Sequence, residues 1–336
     1  MGGTERLDDP RDVRAARLRQ KLHRELGEVI LAALADERVV EVMVNEDGAV
    51  WCDRLGEGMS LLPDTLSADR AASLVGSVAA LLDRVANAEH PIVEGELPFF
   101  GFRFEGIVPP VSPRATVAIR KRARLVYTLE DYLDQGQLSR FHAEALRKAI
   151  AERMNIVIAG GTGSGKTTFA NALLHEKVAV GPPNQRFLIL EDTIELQCSA
   201  PNKVQLRTCD VADLARLVRA TMRLRPDAII VGEVRGREAL DMLKAWNTGH
   251  PGGLTTVHAN GARAALSRLD QLVQEAGVPS QPELLADAVD VIVFIQHRTI
   301  QQLVRVLGYD AATRTFELED LAAPTREDDR HGSDLS

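Results

Sequence analysis

Asn155-Ile156-Val157-Ile158-Ala159-Gly160-Gly161-Thr162-Gly163-Ser164-Gly165-Lys166-Thr167-Thr168 is the stretch that decides the fold. A short apolar run leads into glycines, and the glycines lead into a helical pattern. Gly160 to Thr167 fits G-x-x-x-x-G-K-[ST] in the setting that motif needs, a strand before it and a helix after it. Glycines let successive backbone N–H groups turn inward around one phosphate, and the helix that follows presents its positive end. Lys166, the one basic side chain in the loop, suits the β- and γ-phosphates, and the Thr167 hydroxyl suits Mg²⁺. Gly160, Gly161, Thr162, Gly163, Ser164, Gly165, Lys166, Thr167 and Thr168 are therefore candidate nucleotide-binding residues, with ATP and Mg²⁺ as the expected ligands.

Outward from the loop, the pattern repeats. Arg186 to Leu190, Ala228 to Val231 and Leu254 to Val257 are further short apolar runs, separated by helical patterns over Val211–Arg223, Arg237–Asn247 and Ala262–Ala276. Apolar strands buried on both faces and alternating with helices predict a largely parallel α/β sheet. Val289 to Gln296, Gln302 to Tyr309 and Thr315 to Leu318 read as closely spaced strands at one edge of it.

The N-terminal third differs. Arg11 to Asp36 reads as one helix with Leu18, Leu22, Leu26, Ile30 and Leu34 on a single face. Val40, Val42 and Val44 alternate ahead of an Asn45–Gly48 turn and a second strand at Val50–Asp53. Ser67 to Ala86 is helical, and Ile92 to Ile119 is cut by prolines into short strands. The expected organisation is a smaller α+β N-terminal domain over 1–121, a linker over 122–135 and an ATPase domain over 136–323. A disordered polar tail over 324–336 completes it. Thr128 and Ser139 are expected to cap short helices.

Three further segments carry chemistry. Leu190-Glu191-Asp192 lies at the C-terminal end of a predicted strand, where ligands gather in such sheets. Asp192 suits a water-mediated contact to Mg²⁺, and Glu191 suits the orientation of an attacking water. Ala228-Ile229-Ile230-Val231-Gly232-Glu233 ends in an acid, as does the strand expected beside a phosphate loop. Glu233 is thus a candidate both for general base and for contact with Mg²⁺, and the residues leave Glu191 as its rival. His250 and His258 flank a glycine-marked strand: either suits sensing of a γ-phosphate, but their spacing is no standard zinc pattern. Arg120, Arg207, Arg225 and Arg235 are candidates for stabilising phosphate charge.

Composition narrows the field. The formal net charge is −8 and aromatics are 4% of residues. Helicases that grip single strands need basic grooves and stacking platforms, so that class is disfavoured, and no sequence-specific nucleic-acid binding is expected. The three cysteines, Cys52, Cys198 and Cys209, show no metal or disulfide spacing. Asn202-Lys203-Val204-Gln205 lacks the aspartate of the N-K-x-D base-reading motif, which argues against guanine specificity. No run approaches the ~18 apolar residues of a membrane span.

These segments in this order resemble the secretion-superfamily ATPases that power type IV secretion, type II secretion and type IV pili. Gly160–Thr168, the acidic box Leu190–Leu196, Arg225–Gly236 and the His box from Asn247 to Ala259 are most similar to the conjugal-transfer branch. The resemblance implies a RecA-like C-terminal ATPase domain and a hexameric ring. It implies docking on channel proteins at the cytoplasmic face of the bacterial inner membrane, and a peripheral association with that membrane. It also implies that Arg120, in Thr116–Arg122, lies near the nucleotide; His258, within the His box, is a further catalytic candidate. Type II secretion relatives often carry a late tetracysteine element, and no cysteine follows Cys209 here.

Overall fold

A computed structural model describes residues 10–121 and 126–321. The chain divides into two compact units, Met1–Arg124 and Leu125–Ser336.

In the first unit, β1 (Val39–Val44), β2 (Ala49–Arg54), β3 (Gly58–Thr65), β4 (Ile92–Leu97), β5 (Phe102–Ile107) and β6 (Thr116–Arg120) form an antiparallel sheet in the order β3-β2-β1-β6-β5-β4. Two helices, α1 (Pro10–Ala35) and α2 (Ala68–Leu81), pack on it through Leu22, Leu26, Ile30, Leu74 and Val78. The single helix expected over 11–36 is broken at Gly27, which sits at φ 77° and ψ 167°. Arg70 takes the carbonyls that the break frees, donating to Glu25 O at 2.8 Å and to Arg24 O at 2.5 Å. Polar atoms freed inside a helix need such a partner. The alternation expected for Val40, Val42 and Val44 also shifts. A register slip between Val39 and Glu41 turns Val39 inward and leaves Val40 half-buried.

The second unit carries an eight-stranded sheet. Its strands are β7 (Ile156–Ala159), β8 (Phe187–Glu191), β9 (Lys203–Arg207), β10 (Ala228–Val231), β11 (Leu254–Val257), β12 (Val291–Gln296), β13 (Thr299–Asp310) and β14 (Thr315–Asp320). The order is β14-β13-β12-β7-β11-β10-β8-β9, parallel from β12 to β9 and antiparallel at β13 and β14. Alternate residues of β7 feed two cores. Ile156 and Ile158 join the core under α3 (Leu129–Asp134), α4 (Arg140–Ala151) and α5 (Lys166–Val180). Val157 and Ala159 join the core under α6 (Leu214–Thr221), α7 (Glu238–Asn247), α8 (Ala262–Gln274) and α9 (Pro282–Ala288). Burial on both faces explains why these strands read as unbroken apolar runs.

Three expectations are corrected. The strand carrying Gly232-Glu233 is not beside the loop strand, because β11 lies between β7 and β10. β12 is not an edge strand but pairs in parallel with β7. Residues 126–135, placed in the linker, belong to the second unit, because Leu129 and Tyr132 of α3 are buried in its core. Thr128 and Ser139 do cap α3 and α4. The tail at 324–336 lies outside the described residues.

Trp246 of α7 seals the lower end of β11. It is 2% exposed, and its Nε1 donates to Ile229 O at 3.1 Å. A Cβ on Gly253 would fall 2.1 Å from its ring. Gly253→Ala is therefore expected to cost about 1–3 kcal/mol, the usual scale of overpacking. A lowered urea midpoint at unchanged slope checks this, and an unchanged midpoint would contradict the packing.

Candidate active site

The phosphate loop spans 160–165, between β7 and α5, at the C-terminal edge of the parallel strands. Gly163 and Gly165 adopt φ of 69° and 100°, values that favour glycine. A Cβ on Gly160 would meet Ile295 O and Ser164 Oγ, each at 2.5 Å. Gly161 and Gly163 face open space. Among the described residues, the N–H groups of Thr162, Gly163, Gly165, Thr167 and Thr168 reach no backbone acceptor. Free donors around an open loop at a helix N-terminus fit a polyphosphate.

Lys166 is buried, and its Nζ donates to Gly160 O at 2.9 Å and Gly161 O at 2.8 Å. It also lies 3.3 Å from His258 Nδ1. An ammonium can only donate, so Nδ1 accepts and the ring proton sits on Nε2. Nε2 in turn lies 2.8 Å from Glu233 Oε1. The other carboxylate oxygen of Glu233 receives Arg235 at 2.5 Å. Lys166, His258, Glu233 and Arg235 thus form one line of polar contacts across the ends of α5, β11 and β10. Burial and then the neighbouring Lys166 charge hold the His258 pKa below its ordinary value, against the pull of Glu233. The imidazole is therefore neutral at pH 7. Burial works against the charge on Arg235, but Glu233, Asp192 and Glu195 outweigh it and raise its pKa.

Glu191 is built differently. It is 4% exposed, and its Oε1 accepts from the N–H groups of Glu195 at 2.8 Å and Leu196 at 2.9 Å. It packs where a Cβ on Gly232 would fall 2.8 Å from its Cγ. The glycine before Glu233 thus makes room for Glu191, and Glu191 braces the acidic box. Asp192 is exposed and accepts from Thr208 Oγ1 at 3.1 Å.

Other candidates lie elsewhere. His250 binds Pro226 O through Nδ1 at 3.1 Å, ahead of β10 and β11 and so at the far end of the sheet from His258. The two histidines therefore form no metal pair, and the described residues hold no cluster of three or more metal-ligating side chains. Arg225 precedes β10 and shares that far end. Arg207 ends β9 in register with Glu191. Arg120 is in the first unit, exposed at the end of β6, while Lys121 is buried there and donates to Asp36 O. Pairing of the strands across the sheet places Arg120 between Glu41 and Arg103.

The family described as Type II/IV secretion system protein matches residues 26–330 of the 336. The chain belongs to this family. Among relatives of this secretion family, the conjugal transfer protein TrbB of Rhizobium radiobacter is 48% identical over 87% of this chain and 91% of its own length. The probable conjugal transfer protein TrbB of Sinorhizobium fredii is 45% identical over 94% and 97%. A crystal structure of the pilus retraction motor PilT with bound ADP shares the fold. Its TM-score is 0.58, with 19% identity over 87% of this chain and 80% of that one. The second unit is thus a RecA-like ATPase fold, joined to a smaller α+β unit. No helix of the described residues is long and apolar enough to cross a membrane.

Proposed function

We propose that this secretion-family chain hydrolyses ATP as a hexameric motor that energises conjugative DNA transfer, type IV secretion and pilus assembly. The observation that carries the reading is the polar line Lys166–His258–Glu233–Arg235 beside a phosphate loop in which the N–H groups of Thr162, Gly163, Gly165, Thr167 and Thr168 reach no backbone acceptor. The near full-length likeness to two conjugal transfer proteins supports the biological role.

In this reading Gly160 to Thr168 would wrap the phosphates, Thr167 would hold Mg²⁺ directly, and Glu233 and Asp192 would contact the ion through its bound water. The ion supplies charge neutralisation on the phosphates. Lys166 exchanges its loop carbonyls and His258 for phosphate oxygens. Glu233, half-buried with one oxygen near a neutral imidazole, orients the attacking water and accepts its proton. His258 loses the ammonium at Nδ1 when Lys166 turns, and so links the state of the phosphates to Glu233. Glu191 keeps the acidic box in place. The ring is proposed to sit peripherally on the cytoplasmic face of the inner membrane, docked on channel proteins.

Arg120 is proposed, on the family resemblance, as a residue that ATP turnover needs. Arg120→Ala is then expected to cut ATP turnover by tenfold or more while leaving the melting temperature near parental. Turnover within about twofold, ~0.4 kcal/mol of barrier, would make Arg120 structural. The motor reading as a whole is tested by native mass measurement and by mating assays in donor cells lacking the chain. Six copies, and transfer restored by the parental chain but not by Lys166→Ala, are expected. Monomers throughout, or rescue by both, would count against it.

A further inference from the structure

The β12–β13 hairpin turns through two residues, His297 and Arg298, both at positive φ, 49° and 63°. Turns of this kind favour Asn-Gly, because side chains are strained in the left-handed region. Here neither position is glycine, so strain is retained at a tip where folding alone would not call for an arginine. Such strain points to function when it sits at a site.

The tip lies against the phosphate loop. Arg298 N–H donates to Ser164 O at 2.9 Å. A Cβ on Gly165 would fall 3.4 Å from Arg298 Cγ, so the side chain leaves the turn beside the start of α5. Ile295 O closes on Gly160 from the same hairpin. Ile300 N donates to Gln137 O at 2.9 Å and fixes the other side of the turn. The guanidinium is exposed, and it forms no ion pair with the described residues. A cation at the positive end of a helix, with Lys166 already there, is disfavoured in the protein alone. A polyanion in the loop reverses that sign.

We propose that Arg298 is a further nucleotide-binding residue, its guanidinium contacting a phosphate oxygen of the nucleotide in the Gly160–Thr168 loop. The proposal rests on reading that loop as a nucleotide site. Its test uses full-length protein carrying Arg298→Gly or Arg298→Lys, titrated calorimetrically with ADP in Mg²⁺ and melted without nucleotide. Glycine suits the positive φ and keeps the N–H to Ser164, so it removes the side chain while leaving the turn in place. Arg298→Gly is expected to melt at or above the parental temperature and to bind ADP about tenfold more weakly. Arg298→Lys, which keeps the charge, is expected to fall between the two. Parental ADP affinity in Arg298→Gly overturns the proposal and leaves the loop reading standing. Failure of the parental protein to bind ADP or ATP overturns both.

Discussion

Lys166→Ala is expected to abolish ATP hydrolysis, to below about one-hundredth of the parental rate, the scale on which a single charge on transferring phosphate acts. Lys166 is the one basic side chain in the loop, and its Nζ is already held at the loop's centre by Gly160 O and Gly161 O. Alanine removes the positive charge from the phosphates and also removes the partner of His258 Nδ1. Two carbonyls lose a donor, so stability is expected to fall by about 1–3 kcal/mol at most. A melting curve separates this loss from unfolding. Parental turnover in a folded Lys166→Ala protein would remove the loop from catalysis.

Glu233→Gln carries the second large effect. The amide keeps the size of the side chain and one carbonyl oxygen, but it cannot accept the proton of an attacking water. Single-turnover hydrolysis is expected to fall by ~10²-fold or more, or ~2.7 kcal/mol of barrier. ATP binding is expected to persist or tighten, because a negative charge near the phosphates is gone. Glu191→Gln is the control. Its carbonyl can still accept from Glu195 and Leu196, so the acidic box is expected to hold and hydrolysis to fall far less. Parental hydrolysis in Glu233→Gln beside a large loss in Glu191→Gln would assign the base to Glu191. Parental rates in both would remove the acids from the chemistry.

The loop and the core strands were legible because their signals are local. Gly160 to Thr167 must be glycine-rich to bare its N–H groups, and strands buried on both faces must be apolar throughout. Glu233 and His258 were legible as ends of such strands. What was hidden depends on which strand lies next to which. Nothing near Val231 reveals that β11 inserts between β10 and β7, yet that insertion is what sets His258 between Lys166 and Glu233. Likewise nothing near Val291 reveals that β12 pairs with β7, which delivers Arg298 to the loop. β9 has no apolar signature in the sequence, because its edge position leaves only Val204 and Leu206 half-buried. The break at Gly27 is hidden because its neighbours keep the helical period, and only the reach of Arg70 from α2 shows why it is tolerated. Arg225 and His250 border core strands in the sequence, but each precedes its strand, which places it at the end of the parallel sheet away from the phosphate loop.

The most direct test is steady-state ATP hydrolysis by the purified full-length chain, measured with Mg²⁺ and with the ion chelated. The account expects turnover that requires Mg²⁺ and disappears in Lys166→Ala. Hydrolysis that is indifferent to Mg²⁺ and to Lys166, or a folded parental protein that neither binds nor hydrolyses ATP, would contradict it.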